Sequence, residues 1–368
     1  MKLVYLINTA GFGGAEIYVL NLTHDMVQRG HQVTVVFLLQ KIRGGADSLD
    51  SKLNETGADI VYLESNCLQD IGRWFSLIKL LYKVRPDIIH SHLPRSDLAA
   101  SIAKIIFPKM KWIITLHDTY TKDKFAAYWI LPLIRWNWER VDHAIAVSTH
   151  VQEWGMKYFF LPRVKTRVIY HGVQFKEVPE FPKNLPRESF KIGCLARFEK
   201  RKGLETLVRA MTKVIQIYPG AKLLLAGSDP TGYSNTLKEL AESLNVESNI
   251  EILGFCNKPL EFLQDLDVFA FASSSEGFGI VLIEAMSVRK SIVASDIYPI
   301  NHIVQQGVSG ILVEPDNDEL FADALIELLG DPEKCQCMGA EGYKRLINEF
   351  SLEKSMNKTH DLYIELMF

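Results

Sequence analysis

Short apolar runs alternate with longer segments of helical periodicity along most of the chain. Leu3–Asn8 is the first apolar run, and the glycine-rich turn Gly11-Phe12-Gly13-Gly14 separates it from a helix over Ala15–Arg29. Gly30 ends that helix, and Gln32–Leu38, Ile60–Tyr62, Ile88–His90, Trp112–Leu116 and Ala144–Val147 follow as strands. Helices over Gln69–Val84 and Ser96–Phe107 fill two of the intervals. Apolar strands without polar alternation, separated by helices, predict a parallel sheet covered on both faces. Ligands of such sheets bind at the carboxyl ends of the strands.

The pattern breaks at Phe175–Glu188, which holds three prolines and no sustained periodicity and reads as a linker. It then restarts with strands at Phe190–Cys194, Lys222–Ala226, Ile250–Leu253, Val268–Phe271, Ile292–Ala294 and Ile311–Val313. Helices over Leu204–Ile217, Tyr233–Leu244, Pro259–Leu266, Gly279–Ser287 and Asp318–Leu329 lie between or after them. From Asp331 onward only helical patterns remain, and Met356–Phe368 is apolar enough to require a packing partner. The expectation is an α/β protein of two domains, residues 1–174 and 189–345, with a helical segment over 346–368. A length of 368 residues suits that division, since one core seldom serves so long a chain.

Composition narrows the class. Hydrophobic residues at 48% and charged residues at 23% argue against disorder, and no repeat period is visible. The five cysteines are scattered and odd in number, which fits reduced thiols of a cytoplasmic protein better than disulfides. The apolar run Leu3–Ile7 is too short for a secretory signal, and no stretch approaches a membrane span. The net charge of −3 conceals an asymmetry: residues 1–171 hold 21 Lys and Arg against 15 Asp and Glu, and the remainder 20 against 29. A basic first half points to an anionic surface or substrate, although solvated surface charge gives the same count. No recognition helix or basic stripe favours nucleic acid.

Candidate chemistry clusters at the predicted strand ends. Arg197 and Lys202 flank a loop between a strand and a helix, where two cations and a helix N-terminus suit a diphosphate. A second loop, Ser273-Ser274-Ser275-Glu276-Gly277-Phe278-Gly279, precedes the apolar run Ile280-Val281-Leu282-Ile283 and then Glu284. A carboxylate inside an apolar helix is costly unless it is hydrogen bonded. Ligand hydroxyls would satisfy Glu284, and so would a neighbouring Lys or Arg; the sequence leaves both open. In the first half, Gly13 and Gly14 open a helix but depart from the G-x-G-x-x-G fingerprint, and no ribose-binding acid ends the next strand. That excludes a nicotinamide or flavin site of the usual kind. His90 and His92, His117 with Asp118, and His171 all follow strands. They could handle protons or hydroxyls, and a His-x-His pair with further ligands could also hold a metal.

Taken in order, Gly13-Gly14-Ala15-Glu16, His117-Asp118, His171-Gly172-Val173, Arg197 with Lys202, and Glu276-x7-Glu284 resemble the retaining glycosyltransferases of family 4. The resemblance runs from Met1 to about Leu329. It implies the GT-B architecture, two facing Rossmann-like domains with a C-terminal helical tail that crosses back to the first. It implies Gly13 and Gly14 near the donor phosphates, Arg197 and Lys202 on the diphosphate, Glu276 on sugar hydroxyls and Glu284 on the ribose. Backbone from Gly277 through Phe278, Gly279 and Ile280 to Val281 would contact sugar and phosphates, with Gly254 and Phe255 beside the base. His117 would lie near the donor sugar; His90, His92, Asp118 and His171 remain acceptor-side candidates. The implied activity moves a hexose or N-acetylhexosamine from a nucleoside diphosphate, UDP by family precedent, to a glycan or lipid-linked saccharide of bacterial surface polysaccharide synthesis. It needs neither metal nor other cofactor. A same-fold alternative is a donor-processing enzyme such as a nucleotide-sugar epimerase or a sugar phosphorylase, and an alternative of another class is a noncatalytic nucleotide-sugar-binding subunit. The aromatic, basic segment Tyr120–Trp138 could seat on the inner face of the cytoplasmic membrane or form the core face of a helix.

Overall fold

The computed structural model describes residues 1–8, 13–38, 49–63, 71–119, 138–175 and 190–368. The expected linker after Phe175, the turn residues Gly11 and Phe12, and the Tyr120–Trp138 aromatics up to residue 137 lie outside the described residues. The chain divides into two compact units, Met1–His171 with Leu352–Phe368, and Gly172–Ser351.

The first unit is built on strands β1 (Lys2–Ile7), β2 (Gln32–Phe37), β3 (Asp59–Tyr62), β4 (Ile88–His92), β5 (Lys111–Leu116), β6 (His143–Ala146) and β7 (Thr166–Val168). All pair in parallel, in the order β3-β2-β1-β4-β5-β6-β7. Helices α1 (Gly14–Gln28), α2 (Leu49–Asn54), α3 (Ile71–Val84), α4 (Pro94–Ile106) and α5 (Thr149–Phe159) connect them. Strand positions in β1, β2 and β5 are buried almost without alternation, as expected of a sheet covered on both faces. Strand β7, Thr166-Arg167-Val168, has only one apolar residue and so lacks the run that marks the other strands, and the pattern of the sequence gives no sign of it or of α5. The start of α5 is nonetheless encoded: the Ser148 hydroxyl accepts from the Val151 N–H, a side-chain cap.

The second unit has strands β8 (Lys191–Leu195), β9 (Lys222–Ala226), β10 (Ile250–Gly254), β11 (Val268–Phe271), β12 (Ser291–Ser295) and β13 (Ile311–Val313). They too are parallel, in the order β10-β9-β8-β11-β12-β13. Helices α6 (Leu204–Ile217), α7 (Tyr233–Ser243), α8 (Pro259–Asp265), α9 (Ile280–Ser287), α10 (Ile300–Ile303), α11 (Asp318–Gly330) and α12 (Pro332–Glu349) cover it. In each sheet the strand order reverses beside the first strand, between β1 and β4 and between β8 and β11. Such a reversal opens a crevice at the carboxyl ends, because the crossover helices leave to opposite faces.

The boundary expected at residue 345 falls inside α12, which runs unbroken to Glu349, and the change of unit comes between Ser351 and Leu352. The last helix, α13 (Leu352–Met367), packs on the first unit, as its apolar face requires. Met356, Leu362 and Tyr363 are buried in the same core as Tyr5, Leu22 and Val35. At about 2 kcal/mol for each fully buried side chain, these three anchor the helix. Polar clasps add to them: Arg167 donates two bonds to the Glu365 carboxylate at 3.1 and 2.7 Å, and the Ser355 hydroxyl donates to the Tyr170 carbonyl at 2.8 Å.

Candidate active site

In the second unit, the loops after β8 and β11 meet on either side of the strand-order reversal. Their approach depends on Gly203, whose φ of +64° is left-handed and whose missing Cβ would lie 2.0 Å from the Ala272 carbonyl oxygen. Arg201 fastens them together. Its guanidinium donates to the Ser275 carbonyl at 3.0 Å, and its own carbonyl accepts from the Ser274 N–H at 2.8 Å. Lys202 donates across the same gap to the Glu276 carboxylate, and its ammonium sits 5.6 Å from the centre of the Phe271 ring. Both partners are nearly enclosed, with side-chain exposures of 12% and 9%. Burial alone would push the Glu276 carboxyl up; Lys202, Arg201 and Ser273 outweigh it and hold the group below the usual glutamate value.

Arg197 and Lys202, expected to act as a pair, are engaged separately. Arg197 is half exposed and donates to Glu199 at 3.1 Å, and Glu199 also accepts from Arg201 at 2.9 Å. Reading the run Arg197–Lys202 only as cations misses this division of labour: Arg201 is a brace, and Glu199 keeps the two arginines near one another. The bracing residues Ser273, Ser274 and Ser275 were legible only as small and polar.

Glu284 lies one turn into α9, and its carboxyl has no hydrogen-bond or ion-pair partner among the described residues. The ion pair with a neighbouring Lys or Arg that the sequence left open is therefore absent among those residues. Burial pushes this carboxyl up to about 7. The N-terminus of α9 begins at Gly279, φ +105°, with no side-chain cap; the Leu282 N–H turns back to the Gly279 carbonyl at 3.0 Å, and the N–H groups of Ile280 and Val281 remain available to a ligand. Phe278 is buried against Phe350, which pins the loop from Gly277 to Gly279 from behind. Gly254, φ +72°, ends β10 and is followed by Phe255, whose ring is 54% exposed.

The first unit gathers a different set of groups at its own strand-order reversal. His90 and His92 lie on β4, His117 follows β5, and His171 follows β7. His90 is fully buried, bonded through Nδ1 to the Tyr363 hydroxyl at 2.6 Å and through Nε2 to the Thr115 hydroxyl at 2.7 Å. His92 Nδ1 meets His117 Nε2 at 3.2 Å, so one of the two rings donates and the other accepts. His117 stacks on His171 with ring centres 5.4 Å apart and planes within 13°. The Tyr18 ring packs edge-on to both, at 5.5 and 5.1 Å. Tyr18 and Tyr363 were not read as site residues, since an apolar helix face gives no sign of which tyrosine will meet a histidine.

Burial drives all four imidazoles downward, with neighbouring rings adding to the effect on His90, His92 and His117; His171 falls to about 3. The cluster is therefore neutral at pH 7. The rings stack side by side, and among the described residues no group of three or more His, Cys, Asp or Glu is placed to hold a metal ion. The Asp118 carboxylate accepts from the Thr119 N–H at 2.7 Å, closing a local turn. Gly13 caps α1 in an extended conformation, and a Cβ there would fall 2.5 Å from the Glu16 carboxylate. Gly14 is exposed beside it. A buried carboxyl outside the expected set, Asp97, accepts from Ser91 at 2.7 Å and is pushed up to about 8 by burial.

Comparison with known proteins agrees with this division. Residues 12–177 match the family model described as Glycosyltransferase Family 4, and residues 176–345 match that of Glycosyl transferases group 1. The chain is 25% identical over 311 residues to the O-antigen biosynthesis glycosyltransferase WclY of Escherichia coli, covering 81% of this chain and 80% of that protein. It is 25% identical over 373 residues to the N-acetyl-alpha-D-glucosaminyl L-malate synthase of Bacillus anthracis, covering 96% and 94%. Among solved structures, Anabaena Alr3699/HepE in complex with UDP-glucose superposes with a TM-score of 0.84 at 20% identity, over 99% of this chain and 100% of that one. Two parallel Rossmann-like sheets, a last helix returned to the first of them, and matches to both family models over residues 12–345 identify the chain as a glycosyltransferase of GT-B architecture, of the family 4 type.

Proposed function

We propose that this glycosyltransferase transfers a hexose or N-acetylhexosamine from a nucleoside diphosphate sugar, UDP-linked, to a hydroxyl of a glycan or lipid-linked saccharide, with retention at the anomeric carbon. The observation that carries the reading is Glu284, a carboxyl with no described partner beside the uncapped N-terminus of α9. A vicinal diol such as a ribose supplies two O–H donors to such a group, and a diphosphate suits the free N–H groups next to it.

In this reading the diphosphate draws Lys202 and Arg197, whose charge offsets what develops on the leaving nucleotide. Glu276, released in part from Lys202, accepts from hydroxyls of the transferred sugar. The nearby backbone at Gly277, Gly279, Ile280 and Val281 donates to sugar and phosphate, and the exposed Phe255 ring beside Gly254 offers a face to the base. Neutral His117 accepts from or donates to a sugar hydroxyl without adding charge, with Gly13 and Gly14 forming the backbone wall near the reacting centre. Acceptor attack comes from the face the leaving phosphate occupies, and a phosphate oxygen takes the acceptor proton, so no enzyme carboxylate needs to form a covalent intermediate. A donor role is supported by the relatives: HepE is described with UDP and with UDP-glucose. A place in surface polysaccharide synthesis is suggested by the O-antigen and capsular relatives.

Titration calorimetry with a panel of nucleotide sugars tests the reading. A UDP-sugar should bind, and Lys202→Ala and Glu284→Ala should each weaken it at least about tenfold, in line with loss of a charge-assisted hydrogen bond. If no nucleotide sugar binds, the function is wrong; if both variants bind like the parent, the site is wrong.

A further inference from the structure

Outside the site, one surface of the first unit is built against the ordinary pattern of a soluble domain. Along α3, Phe75 and Tyr82 are 71% and 60% exposed, and their spacing of seven residues puts them on one face. Lys79 lies between them on that face and Lys83 beside it, both exposed. The end of α4 joins this surface, because the Tyr82 ring packs edge-on against Phe107 with centres 4.8 Å apart. Ile105 and Ile106, just before Phe107, are 53% and 42% exposed. Arg85 and Lys109 add exposed cations at the border, and neither they nor Lys79 and Lys83 form an ion pair among the described residues. No Asp or Glu occurs from residue 71 to 86 or from 98 to 111. Solvated surface charge normally mixes the two signs, and exposed aromatic and aliphatic side chains normally stand alone. Here both departures coincide on one patch.

We infer that the face formed by α3 and the end of α4 is a docking surface for an anionic phospholipid bilayer. Phe75, Tyr82, Ile105 and Ile106 enter the boundary between headgroups and acyl chains, and Lys79, Lys83, Arg85 and Lys109 pair with lipid phosphates around them. The charge complementarity selects the partner: an apolar protein partner would not need a rim of one sign, whereas an anionic bilayer does. No described helix is long and apolar enough to cross a membrane, so attachment of this kind is peripheral. It concerns a surface separate from the donor cradle, and vesicle binding without any sugar nucleotide tests it independently of the transferase reading.

The full chain should co-sediment with vesicles of phosphatidylglycerol and phosphatidylcholine, and not with pure phosphatidylcholine. Raising salt from about 0.1 to 1 M should weaken binding severalfold, as the screening length shortens from roughly 10 to 3 Å. The pair Phe75→Ser with Tyr82→Ser, and the pair Lys79→Glu with Lys83→Glu, should each reduce partitioning at least about tenfold, since each lysine near an anionic surface contributes a substantial part of the attraction. Lys238→Glu, an exposed lysine on α7 of the second unit, should leave it unchanged. Absence of vesicle binding overturns the inference, as does equal loss in Lys238→Glu. So does a dimer seen by light scattering that Phe75→Ser with Tyr82→Ser dissolves while vesicle binding persists. Calorimetry with the donor on the same variants separates a failed surface from a failed transferase assignment, and the two variant pairs guard against either one misfolding.

Discussion

The two sheets share one topology but furnish their crevices with opposite electrostatics. At the β8–β11 reversal the groups are ionised and held by one another: Lys202 on Glu276, and Arg197 and Arg201 on Glu199. At the β1–β4 reversal they are neutral: four imidazoles, two tyrosines and two threonines joined by hydrogen bonds of 2.6 to 3.2 Å and by ring stacking. The same backbone thus supports a crevice of paired charges and a crevice of neutral hydrogen-bonding groups. In the proposed function, the paired charges await the diphosphate, and the groups kept neutral by burial face hydroxyls.

The comparison breaks most readily at Lys202. Lys202→Ala leaves the Glu276 carboxylate enclosed without its cation, a loss of about 3–5 kcal/mol for a buried pair. Transfer activity should fall on the order of 10²–10³-fold, as for removal of a group that stabilises developing charge. Lys202→Met with Glu276→Met should recover most of the stability in thermal melts and none of the activity. Recovery of activity in that double variant would mean the pair is only structural.

Acid offers the next test, because the four histidines and Glu284 should contribute opposite slopes. For the four histidines the folded values lie below the ordinary 6.5, so above that pH both folded and unfolded states are neutral and nothing is lost. Below it the unfolded chain takes up protons first, and the first unit loses up to about 1.4 kcal/mol per histidine per pH unit, an effect that the raised carboxyl of Asp97 offsets by about one histidine's share. All six tryptophans lie between residues 74 and 154, so tryptophan fluorescence follows this unit alone. Its midpoint in urea should fall steadily from pH 6.5 to 5. A flat profile would show that the rings are protonated in the folded state.

Glu284 runs the other way, and with the smallest expected effect. Its folded value of about 7 exceeds the ordinary 4.5, so its own contribution to the second unit's stability is lost as pH rises between those values, while the lowered Glu276 contributes the opposite slope. Glu284→Gln should therefore stabilise that unit at pH 8 by about 1–3 kcal/mol and change little at pH 4.5. Hydrogen exchange in α9 would register the gain. The same substitution should weaken donor binding, and parent affinity should rise from pH 6 to 8 as the carboxylate forms. Equal stability of the two proteins at pH 8 would show that water already satisfies this carboxyl.

Much of the fold was written in periodicity. Apolar strand runs such as Val268–Phe271 are continuous because both sheet faces are covered, and that pattern needs no tertiary information. β7 was invisible because Thr166-Arg167-Val168 has only one apolar residue, unlike three-residue runs such as Ile311–Val313 that were legible. Candidate site residues were legible where chemistry conflicts with surroundings, as for Glu284 in an apolar helix, or where histidines follow apolar strand runs, as His90, His92 and His171 do before the fold buries them. They were illegible where the role is set by a contact distant in sequence. Tyr363 meets His90 across 273 positions, and Arg201 reaches Ser275 across 74, so neither tyrosine nor arginine announces its partner locally.

Tyr363 also has a meaning for how the protein is made. The second unit is a single uninterrupted stretch, Gly172–Ser351, enclosed by the two parts of the first. On the ribosome it can mature as soon as it emerges, whereas the histidine cluster waits for the helix that carries Tyr363, which leaves the exit tunnel afterwards. A messenger cut or frameshifted near residue 352 would therefore yield a chain with a complete second unit and a first sheet left unsealed. The open core of that first unit would mark the chain for proteolysis.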